Sequence, residues 1–178
     1  MEHAKPTLVV SRCLGFDACR YDGEALSAPF LAELAPTVDL VPVCPEMEIG
    51  LGVPRPPIRI VMENGGRRLV QPSTGLDLTA RMTKFRERFL AGTGAVDGCV
   101  LKARSPSCGV SDTKVFSGSD HDAPVFHLGP GMFAEAVKAR FPGIPVEDEE
   151  RLVIPAVREE FLARIFASAA RRGAKESA

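Results

Sequence analysis

Three short β-branched runs, set apart by stretches of helical periodicity, limit what this chain can fold into more than any other feature. Residues 7–11 (TLVVS), 38–44 (VDLVPVC) and 98–102 (GCVLK) are apolar without alternation, the mark of strands buried on both faces. Helices are predicted over residues 23–35, over 76–90 with Leu78, Met82, Phe85 and Phe89 on one face, and over 132–141 with Phe133, Ala136, Val137 and Phe141 inward. Pro155 opens a last helix, in which Val157, Phe161, Leu162, Ile165, Phe166 and Ala169 repeat at helical spacing while Arg158, Glu159, Glu160 and Arg164 stay in water. Residues 58–62 and 68–71, separated by Glu63, Asn64, Gly65 and Gly66, read as a hairpin because an Asn-Gly pair between extended runs is a turn signal. The alternation predicts a single α/β domain, Rossmann-like, with a mostly parallel sheet flanked by helices, right-handed crossovers and an inserted β-hairpin. In such sheets ligands gather outside the carboxyl ends of the strands.

With 178 residues, one domain can bury a substantial core without cross-links. A chain that is 45% hydrophobic and 25% charged is neither disordered nor collagen-like. Twenty-two basic against 23 acidic residues leave a net charge of −1, so no global basic field draws it to nucleic acid or anionic lipid. No apolar run approaches the roughly 18 to 20 residues that span a bilayer, and the opening MEHAKP has no signal-peptide pattern; a cytoplasmic location is expected. The expected domain covers residues 1–170, followed by a polar tail, 171–178, expected to be disordered.

Five cysteines are an odd number for a chain of this kind, which points to thiolate chemistry or metal ligation before disulfides. Cys13 lies just past the first strand (VSRC), Cys44 ends the second (VPVCPE), and Cys108 follows the third by a short loop (LKARSPSCG), so three thiols are predicted on one rim of one sheet. Soft thiolates gathered there suit an iron–sulfur cluster or zinc. Three ligands rather than four leave one metal position open to a substrate atom. Pro45 and Pro106 stiffen two of the loops, and Gly15 and Gly109 allow close approach of backbone N–H groups. Cys99, inside the third strand, reads as core packing, whereas Cys19 is a loop thiol near Cys13, structural or an occasional ligand.

Beside this rim Glu46 is the candidate general base, and Ser105 and Ser107 are hydroxyls able to position water or meet developing charge. Arg20, Asp22 and Arg55 are candidate contacts to a polar substrate, and Lys102 and Arg104 offer positive charge for a phosphate. Residues 117–123, flanked by His121 and His127, form a polar loop long enough for a lid; neither histidine shows metal-ligand spacing.

Taken together, VSRCLG, CRYDGE, VPVCPE, GLGVPRPP, DLT, LKARSPSCG, VFSG and GPGMFAEAV resemble the thiouracil desulfidase (TudS) family, formerly domain-of-unknown-function family 523, over residues 7–147. Residues 141–166 further resemble the version of this domain that, in longer relatives, precedes a second domain and acts on 4-thiouridine in tRNA; here the chain stops where that domain would begin. The resemblance implies a [4Fe–4S] cluster on Cys13, Cys44 and Cys108, with the fourth iron binding the sulfur of a thiolated pyrimidine. It further implies that water, activated by Glu46 and assisted by Ser105, attacks the ring carbon. Two departures stand out: Ile49 where relatives usually carry glycine, and Ala103 where serine is frequent.

Two other readings compete with this desulfidase. One is a zinc hydrolase on the same three thiolates with water in the fourth position. The other is a non-catalytic tRNA-binding or sulfur-carrier module, for which Arg81, Lys84, Arg86 and Arg88 on one helix would contact phosphates. Oligomeric state leaves no mark in the sequence.

Overall fold

The computed structural model describes residues 4–176. Its first half runs through β1 (Thr7–Ser11), α1 (Pro29–Leu34), β2 (Asp39–Val43), the single turn α2 (Pro45–Glu48), β3 (Arg59–Glu63), β4 (Gly66–Gln71) and β5 (Leu76–Asp77). The second half follows with α3 (Thr79–Gly92), β6 (Gly98–Leu101), β7 (Thr113–Phe116), β8 (Val125–Gly129), α4 (Met132–Arg140), β9 (Val146–Asp148) and α5 (Pro155–Glu176).

A four-stranded sheet in the order β2-β1-β6-β9 is parallel throughout. Its strands alternate sides as the pleat requires. Leu8, Val10 and Val100 pack with Leu31, Leu34, Phe161 and Ile165 of α1 and α5, whereas Val9, Cys99 and Leu101 pack with Met82, Phe85, Phe133 and Val137 of α3 and α4. Both faces of β1 and β6 are therefore covered, which is why these two read as continuous apolar runs, whereas β2, expected to be buried on both faces, is the edge strand and leaves Asp39 and Pro42 exposed. The chain moves from β1 to β2 on one side and later to β6 and β9 on the other, so the strand order reverses between β1 and β6, and the crevice lies above their carboxyl ends.

The α/β architecture agrees with the sequence-based expectation, which does not include β7, β8 or β9 and from which the structure departs at four further places. The hairpin of β3 and β4 turns at Asn64 and Gly65, both at positive φ, as expected. It is more than an insertion, however, because it forms the middle of a second sheet, β5-β4-β3-β7-β8, in which β3 and β7 run parallel. The helix predicted over residues 23–35 shrinks to α1 and a 3₁₀ turn (Ala35–Thr37). Pro29 explains the shift: it starts a helix readily but disfavours helical backbone at Ala28, and Gly23 has φ +77°. Leu76 belongs to β5 and α3 starts at Thr79, because Asp77 Oδ1 accepts from the Thr79 N–H (2.9 Å) and hydroxyl (2.6 Å), while the Thr79 hydroxyl oxygen accepts from Leu69 N–H (2.9 Å). These bonds hold the Asp77 carboxyl down at about 2.

The fourth difference concerns the carboxyl terminus. α5 continues to Glu176, through most of the tail expected to be disordered, while residues 177–178 lie outside the described part. Arg172 anchors that turn, donating to Lys5 O (3.0 Å) and to the buried Asp97 (2.8 Å), which also accepts from Ser168. On the same helix Phe166, placed on the apolar stripe by periodicity, is 42% exposed. No described helix is long and apolar enough to cross a membrane.

Helix α5 lies directly on Gly98, where a Cβ would stand 2.6 Å from Ile165 Cγ2 and 3.3 Å from Pro145 O. Gly98→Ala is expected to lower stability to urea unfolding by about 2 kcal/mol through overpacking; an unchanged midpoint would mean that α5 does not press on β6.

Candidate functional site

Parallel pairing brings the ends of β1, β2 and β6 to one level, and the cysteines leave the sheet there. Arg12 N–H donates to Val43 O (2.8 Å), clipping together the residues that precede Cys13 and Cys44. Cys108 is carried by the loop after β6. That loop is seated on the amino end of α4: Gly131 N–H donates to Gly109 O (2.8 Å), Met132 N–H to Pro106 O (2.9 Å), and the Phe133 and Ala134 N–H groups to Ser107 O (2.9 and 3.2 Å). The first amides of a helix have no partners within it, and here loop carbonyls supply them. Gly131 is required at the junction, since a Cβ there would fall 2.5 Å from the Ser107 backbone.

The three cysteines line one cavity of about 250 Å³ together with Cys19, Glu46, Arg55, Ser105 and Ser107. Burial pushes the Cys13 thiol up to about 11, with the neighbouring Cys44 adding to it, and raises Cys108 well above its ordinary value against a hydrogen bond to Ser11. Cys108 is in turn raised by Cys13 and Cys44, so all three sulfurs lie within electrostatic reach of one another. Cys19 is buried against Cys44, whose Sγ lies 3.8 Å from the Cys19 carbonyl, and its thiol is pushed up to about 12 by burial and then by Cys44. It therefore belongs to the cavity wall more firmly than its loop position suggested. Cys99 is a core residue, as expected, and burial alone raises it to about 12.

Among the described residues no three His, Cys, Asp or Glu side chains form a group able to hold a single metal ion. The all-thiolate set of Cys13, Cys44 and Cys108 on one cavity rim fits an iron–sulfur cluster by the softness of its donors.

Glu46, on the turn of α2, is gripped from two sides. Arg55 donates to Oε2 through Nε (2.8 Å), with Nη2 in ion-pair contact at 2.8 Å, and the Ser107 hydroxyl donates to Oε1 (3.1 Å). Ser105 plays a different part: its oxygen accepts from Ser107 N–H (3.2 Å) and Cys108 N–H (3.1 Å), shaping the cysteine turn and leaving its own O–H free to donate.

The expected substrate contacts divide. Arg20, Arg55, Lys102 and Arg104 line the cavity, but Asp22 does not; it turns to Arg20 (3.1 Å) and to Glu24 N–H (3.0 Å). Arg55 is turned to the protein rather than to a ligand. Nε donates to Glu46 Oε2 (2.8 Å), Nη2 donates to Cys19 O (3.0 Å) and lies 2.8 Å from the same Glu46 oxygen, and Nη1 donates to Gly52 O (2.7 Å) and to Met47 Sδ (3.8 Å). Lys102 pairs with Glu149, Arg104 with Glu150, and Arg20 also with Glu24.

Sequence reading passed over Arg12, Tyr21 and Glu149. Arg12 lines the mouth, paired with Glu48 (2.9 Å). Tyr21, inside CRYDG, is 43% exposed at the cavity with the Arg20 guanidinium 5.6 Å from its ring centre, and its place in that motif was the signal available. Glu149 had none, because only the pairing of β9 with β6 brings it to Lys102 and to Ala103 N–H (2.8 Å).

The loop 117–123 is not a lid. It hooks onto β3 through Arg59 to Asp120 O (3.2 Å) and Ser119 to Glu63 (2.8 Å), and neither His121 nor His127 reaches the cavity. Nor do the basic residues of α3 line it: Arg86 is turned to Met132 O (3.0 Å), while Arg81, Lys84 and Arg88 are exposed elsewhere.

Comparison with known proteins bears on this site. The profile of a family described as 2-thiouracil desulfurase matches residues 8–149. The uncharacterized protein YbbK of Bacillus subtilis (strain 168) is 30% identical over 109 residues, which are 57% of this chain and 72% of the relative. A solved structure of a [4Fe-4S]-dependent thiouracil desulfidase, TudS (DUF523Vcz), superposes with a TM-score of 0.64 at 28% identity, over 88% of this chain and 99% of that one.

Gly131→Ala is expected to unseat the cysteine loop from α4 and to lower stability by about 3 kcal/mol. Thermal unfolding checks it; an unshifted midpoint would mean that the loop is not held by the helix end.

Proposed function

The chain belongs to the 2-thiouracil desulfurase family, and on that premise we propose that it is a desulfidase that turns a thiolated pyrimidine and water into the oxo pyrimidine and hydrogen sulfide. One C=S bond is replaced by C=O, one water is consumed, and no net electrons are exchanged. The observation that carries this reading is the meeting of Cys13, Cys44, Cys108 and Glu46 in one cavity, in a chain that superposes on a [4Fe-4S]-dependent thiouracil desulfidase. In this reading the three thiolates hold a [4Fe–4S] cluster. Such a cluster, bound by three protein ligands, supplies an iron with an open position and an affinity for sulfur.

The protein's own groups do the rest. Glu46 takes the proton of the attacking water through Oε1, the oxygen that Arg55 leaves unpaired, while Ser107 steadies that same atom. Ser105, with its proton free, donates to the charge that develops at the ring. The Tyr21 ring, with Arg20 beside it, offers a flat face for the base. The substrate we assign is a free thiouracil-type base, a 4-thiouridine nucleoside or its nucleotide. One pyrimidine would sit against Tyr21 at the mouth of the cavity, and a 5′-phosphate would reach Lys102 or Arg104 by exchange with Glu149 or Glu150. A base within tRNA would have to be presented from outside, without help from α3. A reducing compartment such as the cytoplasm suits a site that needs Cys13, Cys44 and Cys108 as thiolates.

Sulfide release from 2-thiouracil, 4-thiouridine, 4-thiouridine monophosphate and thiolated tRNA, assayed in parallel under anaerobic conditions after reconstitution with iron and sulfide, tests the proposal. Release from at least one small substrate is expected; a protein that binds zinc and no iron, or releases no sulfide from any of the four, would overturn it. Alanine at Cys13, Cys44 or Cys108 is expected to abolish iron binding, whereas Cys99→Ala should keep iron and lose on the order of 1 kcal/mol of stability. Glu46→Gln should retain iron and lower kcat by about 100-fold or more.

A further inference from the structure

Arg55 stands in the sequence as a candidate substrate contact, yet its side chain is 4% exposed and each of its three guanidinium nitrogens donates inside the protein. Nε holds Oε2 of Glu46, an oxygen that Nη2 also approaches to 2.8 Å. One Nη2 N–H holds the carbonyl of Cys19, the residue against which Cys44 Sγ rests (3.8 Å). Nη1 holds Gly52 O, and the Arg55 backbone N–H donates to Tyr21 O (2.9 Å). One guanidinium thus joins three parts of the cavity: the carboxylate on α2, the wall of residues 19–21, and the loop that carries Arg55 itself.

We propose that Arg55 is a positioning residue that locks Glu46 to the Cys19–Tyr21 wall, so that Oε2 is anchored and Oε1 is the working oxygen. The inference rests on the desulfidase reading for its kinetic consequence, but not for its structural one. A planar guanidinium suits the task because its donors lie in a fixed fork, so Glu46 and the Cys19 carbonyl are held at a set angle to each other. Lysine would keep the charge and lose the fork. A carboxylate misplaced by about 1 Å is expected to lower turnover by about 100-fold.

The test uses Arg55→Lys and Arg55→Met, each alone and combined with Glu46→Gln. In the reconstituted enzyme both single variants should keep their iron, lower kcat by about 100-fold and leave KM nearly unchanged. In the Glu46→Gln background the same replacements should cause little further loss, because Arg55 acts through that side chain. In reduced, cluster-free protein, alkylation of Cys19 and Cys44 by iodoacetamide should quicken in both Arg55 variants and stay at the wild-type rate in Glu46→Gln.

A raised KM with kcat retained would make Arg55 a substrate contact and overturn the proposal. Full additivity with Glu46→Gln, or wild-type turnover in Arg55→Lys, would do the same. Unchanged alkylation would remove the tie to the cysteine wall. If Arg55→Met does not fold, Arg55→Lys decides, since it keeps the buried charge. Absence of sulfide release by the wild-type protein would defeat the desulfidase reading alone, because the alkylation rates still decide whether Arg55 holds the wall.

Discussion

The seat of the cysteine loop on the amino end of α4 is the constraint on which the rest of the site depends. Four backbone N–H groups that a helix cannot satisfy internally meet three loop carbonyls that would otherwise be buried without donors. Each bond contributes about 1 kcal/mol, but leaving such groups unpaired costs about 1 to 3 kcal/mol apiece, so the junction is held chiefly by the penalty for opening it. One short loop thereby gains a single shape and presents Cys108, the Ser105 hydroxyl and the Ser107 hydroxyl to the cavity together. Because α4 also carries Phe133 and Val137 into the core beneath β6, the loop's position is referred to the sheet itself.

A second constraint is electrostatic. Glu46 and Arg55 form an ion pair at the cavity wall with little exposure to water, an arrangement that stabilises only when nearly every donor and acceptor is matched. Here each guanidinium nitrogen and each carboxylate oxygen has a partner, and Nη1 also reaches a thioether sulfur. The cations at the mouth, Arg12, Arg20, Lys102 and Arg104, likewise each have a carboxylate beside them. These outer pairs are more exposed and individually weak, so an incoming charged group can displace one at small cost. The inner pair cannot be exchanged in this way. The cavity therefore has a rigid floor of thiols and carboxylate under a mouth whose charges can rearrange.

How much of this was legible beforehand can be judged residue by residue. Cys13, Cys44 and Cys108 were assigned to a common rim because short parallel strands end together, and the fold places them so. Glu46 and the two serines followed from their nearness in sequence to those cysteines. The roles of the serines were not readable, since Ser107 meets the carboxylate across 61 residues while Ser105 turns back on its own loop. Arg55 looked like a ligand contact because nothing in GLGVPRPP reveals that its donors point inward. Residues 117–123 looked like a lid on length alone, and the hydrogen bonds that tie them to β3 come from a strand more than 50 residues away.

Sequence alone determined the α/β class, the positions of β1, β2, β6 and the β3–β4 hairpin, and the set of thiols, because these depend on local periodicity, on turn chemistry and on the rule that parallel strands end on one side. Tertiary structure alone decided that the hairpin builds a second sheet, that Glu149 answers Lys102, and that each guanidinium nitrogen of Arg55 donates within the protein. The reason is physical: a hydrogen-bond donor is defined in the sequence by its type, but its partner is chosen by packing, which brings together groups that no local pattern relates.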